Sequence, residues 1–599
     1  MTNRSERGAS FLLGPTDPAD VVTPDDLGEE ERMLVRSLVE FAEREIGPAM
    51  DKLVARDPET SRGLFKKAAE LGIFMAEVPE EMGGLDLSVL AITAMCSPPA
   101  DIGPMGQMLW GHQGIGMLPI VNFGTPEQIE RYLGPCMEGD MLSAFALTEP
   151  GTGSDAMNIQ ARAELDDAGT HYVLNGSKQW ITNAGWADLF VLFAKVGGEQ
   201  FTAFLVERES PGLSVHEPEH LLGHDGSSVN ALSLEDVRVP VENVLGEVGR
   251  GHKVAFCTLN MGRLKLAAGS ATGAKIALGV AARYAAERVQ FGVPIATFGL
   301  IKRKLADMAA RAYAADSLSY RTAGLVYHKL ESLDDGTPVS PERRLQALAE
   351  FSVECALAKV YSSEAYNTNA DEAVQVFGGY GFSEEYPPAK MYRDSRISRI
   401  YEGTNEISRL YAQRTIFKKL AKGFGGGLAQ GVKALADPHG LQRAAEGGGA
   451  GDGGADEERL AALKRLYFML MGEALARLGP EGLNEPARQQ FLASLADIAM
   501  EIFAAESVVL RVAKLGGEGS QEEGAIRRAL ATLVFHRSLE RTRSEARTVL
   551  SELHRGEDLS RRLREMEESL PTPEGMVDVR NRVADWVVGK SGALPGGIA

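Results

Sequence analysis

The chain has 599 residues, 44% hydrophobic and 24% charged, with 83 acidic against 63 basic side chains and a formal net charge of −20. These are the proportions of a soluble globular protein of roughly three to five domains. The acidic balance excludes the electrostatic footprint of a nucleic-acid binder, and no run approaches the ~18 continuous apolar residues of a membrane span. The four cysteines, Cys96, Cys136, Cys257 and Cys355, have neither CxxC nor metal-ligand spacing. They read as small core residues in a reducing compartment, with no metal site. Residues 1–20 show no apolar run with a small-residue cleavage site, so no secretory signal is expected and the localisation reads as cytoplasmic.

In chain order, residues 1–22 read as an irregular arm. Thr23 then caps a helix start with Pro24 at its first position. A helical N-terminal domain is expected over 23–140, with helices at 33–46 and 63–71 and breaks at Gly83-Gly84 and Ser97-Pro98-Pro99. A β domain follows over 141–250. Residues 171–176 predict a strand entering a turn at Asn175-Gly176, and further strands are expected at 189–193, 201–206 and 231–237. Helical periodicity returns over 251–420. Residues 421–456, with glycine runs at 423–427 and 447–454, read as a flexible linker. A further helical domain is expected over 457–599.

The tail repeats part of the preceding bundle. Leu305-Ala306-Asp307-Met308-Ala309 returns as Leu495-Ala496-Asp497-Ile498-Ala499, and Tyr313-Ala314-Ala315-Asp316-Ser317 as Phe503-Ala504-Ala505-Glu506-Ser507, with Arg321 matched by Arg511. Two alanine-rich helices under similar packing constraints would give such an echo, and so would a partly duplicated bundle.

Five segments carry chemistry. Thr148-Glu149-Pro150-Gly151-Thr152-Gly153-Ser154-Asp155 is a loop whose amides can reach a phosphate or the edge of a planar ligand. It lacks the strand–GxGxxG–helix setting of a dinucleotide fold, and the Walker lysine. In Asn175-Gly176-Ser177-Lys178-Gln179-Trp180-Ile181-Thr182-Asn183, an indole two residues before a hydroxyl can cover a flavin face and bond its edge. Arg288-Val289-Gln290-Phe291-Gly292 offers a guanidinium to a pyrophosphate. Gln375-Val376-Phe377-Gly378-Gly379-Tyr380-Gly381 allows close backbone approach. Tyr401-Glu402-Gly403-Thr404-Asn405 holds a carboxylate in a tight, partly apolar turn, which suits a base for a weakly acidic proton beside a carbonyl. Taken singly, each is an ordinary loop, core strand or helix end.

In this order and spacing the segments resemble the acyl-CoA dehydrogenase family over about 24–419. The extra helical tail is similar to the C-terminal extension of its very-long-chain branch. The resemblance implies an α+β, mainly α fold: N-terminal helices, a middle β-barrel or sandwich-like domain, a C-terminal four-helix bundle and the added helical domain. It implies bound FAD, an acyl-CoA substrate, electron-transfer flavoprotein as acceptor, and a homodimer or dimer of dimers. By the same resemblance, Leu147, Thr148 and Ser154 line the flavin and the acyl-CoA mouth. Trp180, Ile181 and Thr182 hold the isoalloxazine, and Arg288, Gln290, Phe291, Gln375, Gly378 and Gly379 the ADP half. Thr404 and Asn405 also face FAD. Asn260 and Arg263 contact the CoA-bearing part, and Tyr401, Gly403 and Gly111 the substrate. Glu402 takes the α-proton and flavin N5 the β-hydride in fatty acid β-oxidation. Some relatives carry the base on the helix that here holds Met261-Gly262-Arg263, where Gly262 cannot serve.

Medium-chain relatives place a Glu at Gly111. A glycine there is expected to deepen the acyl pocket, with Met105, Met108, Trp110 and Met117 free to refill it, which favours a long acyl chain. In Gly223-His224-Asp225-Gly226-Ser227-Ser228-Val229, Asp225 and Val229 replace the basic residue and the threonine usual in the family. Rival readings are an oxidase that uses oxygen, and a flavoprotein whose tail acts as a scaffold or lies on a membrane surface. The short basic run Arg561-Arg562-Leu563-Arg564, interleaved with Glu565, Glu567 and Glu568, favours a bundle face over membrane docking.

Overall fold

A computed structural model describes residues 7–13, 16–96, 103–333, 340–423, 455–483, 485–516, 518–570 and 572–596. Most of the expected 421–456 linker, with its glycine runs, and the Ser97-Pro98-Pro99 break lie outside the described residues. The chain divides into two compact units, one of Glu29–Lys265 with Leu330–Ala349, the other of Met1–Gly28, Leu266–Lys329 and Glu350–Ala599.

In the first unit, short helices precede a sheet. Glu29–Phe41 runs on through a π-turn over Ala42–Ile46. Pro58–Glu70 begins earlier than its periodicity suggests, because the Asp57 carboxylate accepts from Thr60 N and Pro58 presets the first turn. The eight strands are β1 (Ser143–Ala146), β2 (Arg162–Leu165), β3 (His171–Thr182), β4 (Leu189–Val196), β5 (Gln200–Glu207), β6 (Leu213–Pro218), β7 (Val229–Pro240) and β8 (Val244–Leu245). Their order is β6-β7-β3-β2-β4-β5-β8, with β1 paired to β4. The central strand β4 is buried on both faces. Leu189, Val191 and Phe193 join the core shared with the helices, while Phe190, Leu192 and Ala194 join a second core on the opposite face.

The turn expected at Asn175-Gly176 is instead a bulge inside β3, which continues to Thr182. Gly176 has φ 148°, and a Cβ there would stand 2.8 Å from Ala161 Cα. The break in alternation therefore marks a strand crossing close over its neighbour.

The second unit is helical apart from a short antiparallel hairpin that pairs Val289–Gln290 with Val293–Pro294. Its long helices are α1 (Gly251–Glu287, from Leu266 onward), α2 (Gly299–Glu331), α3 (Ser352–Phe377) and α4 (Asn405–Gly423). They are followed by α5 (Ala455–Leu483, broken at Gly479), α6 (Gln489–Lys514) and α7 (Gln521–Leu553). The residues expected as a tail domain share one continuous apolar core with those of the bundle.

The echoed segments face each other across this core. Arg321 on α2 donates to Glu506 Oε2 (2.8 Å) and Ser507 Oγ (3.1 Å) on α6. Arg511 on α6 donates to Asp316 Oδ2 (3.1 Å) and Ser317 Oγ (3.3 Å) on α2. The guanidinium of Arg511 lies over the Tyr313 ring, and that of Arg321 over the Phe503 ring. Each buried carboxylate is also bonded by a lysine from the preceding long helix, Lys275 to Asp316 and Lys464 to Glu506. Packing constraints alone do not require reciprocal use of the same positions. The exchange is reciprocal, as a partly duplicated helix pair would make it: each echo supplies the arginine that the other's carboxylate and serine accept.

The arm, read as irregular, carries 3-10 turns at Ser10–Leu12 and Pro18–Asp20, too short to leave a period in the sequence. Phe11 is buried against Phe503, and Thr23 caps a third turn as expected. Gly8 N and Ala9 N donate to Glu350 Oε1 (2.8 Å) and Glu354 Oε1 (2.6 Å) on the bundle side.

Burial pushes the Glu354 carboxyl up to about 7, against the Ala9 amide and the more distant Lys419 and Arg321, which pull it down. Its folded pKa therefore exceeds the unfolded one, and the fold binds the proton more tightly. This contribution is intact below about pH 4.5 and lost as pH rises through about 7. Glu354→Gln is expected to raise the thermal midpoint at pH 8 and to change it little at pH 4.5. Calorimetry of the full chain at both pH values checks this; an equal shift at the two refutes it.

Candidate functional site

In the first unit, β1 runs through Leu147 and half-buried Thr148 into the Glu149–Asp155 loop. The loop is fastened from within. Glu149 is buried, and its carboxylate accepts from Ala161 N (3.0 Å), Gln160 N (2.5 Å) and Lys178 Nζ (2.7 Å). Lys178 also donates to Leu147 O (3.2 Å). Burial draws its ammonium down to about 8, and Glu149 opposes that shift. Gln179 N donates to Thr148 O (2.9 Å), which ties the start of the loop to β3. Ser154 stands exposed at the loop's far end.

Between Lys178 and Ile181 the β3–β7 register slips. Of the two residues in the slip, Gln179 and Trp180, the second takes φ 61° and leaves its indole 54% exposed. A bulge re-aims a side chain that strand alternation would fix. Ile181 returns to the core, Thr182 pairs with Val229, and Asn183, again at positive φ, donates from Nδ2 to Met108 O (2.8 Å).

Gly111 opens a π-turn over Gly111–Met117. A Cβ on it would meet Asn183 Nδ2 at 3.2 Å and Thr182 Cγ2 at 3.3 Å. The expected deeper pocket is thus corrected: the glycine's space is taken by close approach to the end of β3. The next residue, His112, is buried and held neutral, with burial pulling it down to about 4. Its Nδ1 accepts from Ser143 N, so Nε2 donates to Cys136 O (3.1 Å).

The unusual 223–229 loop is anchored to its own unit. Arg56 Nε donates to Ser227 O (3.2 Å), and Ser228 Oγ accepts from Gly185 N (2.8 Å). Nothing in the structure explains the aspartate at 225. Asn260 and Arg263 lie one turn apart, both buried, with Arg263 Nη1 donating to Asn260 Oδ1 (3.1 Å).

In the second unit, Arg288, Gln290, Gly378 and Gly379 come together around a pocket of about 500 Å³. Gly378 has φ 62° and ψ −136°, open to glycine alone, and a Cβ at either glycine would enter free space. Sequence reading missed the aromatic frame. Tyr284 stacks on Phe377 with centroids 3.9 Å apart, and the Arg288 guanidinium sits over Tyr380. Phe291 (95% exposed, φ 54°) and Gln375 are not in the pocket lining.

The Tyr401–Asn405 turn precedes α4. Glu402 has φ 56° and Gly403 φ 86°, two consecutive left-handed residues. Burial, then the neighbouring Glu402 carboxylate, push the Tyr401 phenol up. Gly403 O accepts from the buried Lys359 Nζ (2.8 Å), which also donates to Asn405 Oδ1 (2.7 Å). Thr404 Oγ1 caps α4 by accepting from Ile407 N (3.2 Å). Asn405 was expected to face a cofactor. It is 1% exposed, and its amide donates to Ser363 Oγ and Glu364 Oε1, both at 3.1 Å, so it faces the bundle. Lys359 was missed as well, although a lone lysine in Ala356-Leu357-Ala358-Lys359-Val360 was a visible signal. Among the non-glycine residues with positive φ are Trp180, Asn183, His224, Phe291 and Glu402, all in segments that the sequence singled out. Such strain concentrates at functional sites.

Four family models match in chain order. They are described as the N-terminal domain of acyl-CoA dehydrogenase over 28–140, its middle domain over 144–237, and its C-terminal domain over both 249–417 and 462–567. A Bacillus subtilis (strain 168) protein named "Probable acyl-CoA dehydrogenase" is 38% identical over 589 residues, 97% of each chain. The mitochondrial very long-chain specific acyl-CoA dehydrogenase of Bos taurus is 38% identical over 407 residues, 65% of this chain and 58% of that one. The solved acyl-CoA dehydrogenase of Bacillus anthracis, complexed with FAD, aligns at a TM-score of 0.91 and 37% identity over 98% of this chain and 99% of its own. With bundle and tail both matched, the chain belongs to the acyl-CoA dehydrogenase family.

Proposed function

We propose that this chain carries out the FAD-dependent α,β-dehydrogenation of long-chain acyl-CoA to trans-2-enoyl-CoA, with Glu402 as the base. The observation that carries the reading is the Glu402 turn, a carboxylate held at φ 56° by buried bonds behind it. The residues present suit FAD. Gly378 and Gly379 leave open space beside Arg288, as a phosphate-bearing group requires, and Trp180 offers an indole face at the end of a sheet. When bound, FAD supplies the hydride acceptor at N5.

The chain's own residues do the rest. Trp180 and Thr182 would hold the ring, with the Thr182 hydroxyl toward its edge, and Ile181, its side chain in the core, would contribute its backbone. Leu147, Thr148 and Ser154 line its approach. The Glu402 amide donates to the thioester carbonyl, which stabilises the enolate as it develops, and the carboxylate takes the α-proton. Asn260 and Arg263 receive the CoA-bearing part, already bonded to each other.

Electron-transfer flavoprotein is the proposed acceptor and a cytoplasmic homodimer the proposed state. The family comparison does not choose an acyl length, since the human short-chain specific enzyme is 38% identical as well. The long-chain reading rests on the resemblance of the helical tail to that of the very-long-chain branch, and needs Met105, Met108 and Met117, buried in the core around the Gly111 turn, to yield to the acyl chain.

Glu402→Gln is expected to keep the yellow flavin and to lose at least ~100-fold in turnover. Near-normal activity overturns the assignment of the base. In a C4 to C20 acyl-CoA series followed by flavin bleaching with a dye acceptor, the rate is expected to peak at C12 or longer. A peak at C4 to C8 refutes the chain length. Peroxide formed in step with product would replace the dehydrogenase by an oxidase.

A further inference from the structure

The tail reaches the base turn through named bonds. Lys359 on α3 holds Gly403 O and Asn405 Oδ1. Asn405 Nδ2 donates to Glu364 Oε1 (3.1 Å). Arg409, one turn into α4, grips the same Glu364 with both arms of its fork, Nη1 to Oε1 at 2.8 Å and Nη2 to Oε2 at 2.9 Å. Its Nε then donates to Asp497 Oδ1 (2.7 Å) on α6, and Asp497 Oδ2 accepts from Arg541 Nη2 (3.0 Å) on α7. Glu364, Arg409 and Asp497 are mostly or wholly out of solvent. Burial works against the ionised forms of Glu364 and Arg409, yet each is held charged by the other.

A forked guanidinium fixes orientation as well as distance. Arg409 thus pins the first turn of α4 to α3 and α6 at once, and that turn begins three residues after Glu402. The backbone there needs such support, because a glutamate at φ 56° followed by a glycine at φ 86° is not a conformation the turn keeps by itself. The contact is not a general property of the echoed helices. Asp307, which matches Asp497 in the repeat, bonds Arg580 (3.2 Å) instead.

We propose that Lys359 and Asp497 are positioning residues for Glu402, so that the tail forms part of the mounting of the base. This rests on the reading of Glu402 as base. Neither residue is assigned contact with substrate or flavin. Each acts by fixing where the Glu402 carboxylate stands, and misplacement of about 1 Å can cost on the order of 100-fold in a transfer step.

The test is Asp497→Asn holoenzyme in the stopped-flow reductive half-reaction, with acyl-CoA unlabelled, α-deuterated or β-deuterated. A stability role alone would lower the amplitude of flavin bleaching, which counts intact sites, and leave the rate constant per site unchanged. A positioning role is expected to leave the amplitude intact, slow the rate constant about tenfold and raise the α-deuterium effect above the β effect. Lys359→Met is expected to slow it further, with partial recovery in Lys359→Arg. If Asp497→Asn yields no folded holoenzyme, Arg541→Gln loosens Asp497 from its half-exposed side, with a smaller slowing of the same kind expected. Wild-type flavin that no acyl-CoA bleaches removes the functional reading and this inference with it. Wild-type bleaching with unchanged rate constants and isotope effects in the variants overturns this inference alone.

Discussion

A carboxylate on a left-handed residue has to be held in place by its surroundings. The Glu402–Gly403 pair turns the chain so that its carbonyls fall outside any helix or strand ladder, and a buried carbonyl without a donor is costly. Lys359 answers this with an ammonium that needs acceptors as much as the carbonyl needs a donor. The lysine is tolerated inside the bundle because Gly403 O and Asn405 Oδ1 satisfy it. Base and bundle are in this sense one construction, and replacing either half leaves the other in an unfavourable place.

The same economy governs the rest of the helical unit. Its charged groups are buried in matched sets, and the sets run between segments far apart in sequence. Arg321 with Glu506 and Arg511 with Asp316 exchange partners between α2 and α6. Each arginine also lies on an aromatic ring, which adds attraction where water is absent. Such sets do little for net stability compared with an apolar core of equal volume. They do specify register, since a slip of either helix would strand four charges. In the sheet unit, Lys178 and Glu149 serve the same end for the loop that carries Leu147 and Thr148.

Much of this was legible in the residues. The division into helices, sheet and helices followed from the change of period near residue 141. The cap at Thr23, the base turn and the glycine pair at 378–379 all stand where their local chemistry requires. What could not be read is non-local. Asp497 looks like any aspartate on an alanine-rich helix until Arg409 lies beside it. The slip at Trp180 is the second in a strand already bulged at Gly176, and Gly176, which reads as a turn, is explained by the close approach of Ala161. Gly111 misled for the same reason. An absent side chain opens space only if no neighbour fills it, and Thr182 with Asn183 does.

The arm closes against helices that lie far downstream. Phe11 packs on Phe503, Asp25 receives Arg511, and Asp26 receives Lys514. A ribosome adding 5–20 residues per second reaches that part of the message roughly 25–100 s after making the arm. For that interval the phenylalanine and its apolar neighbours have no native partner and must be shielded or left in solvent. Synthesis rate and chaperone supply therefore bear on this chain's yield more than its finished contacts suggest.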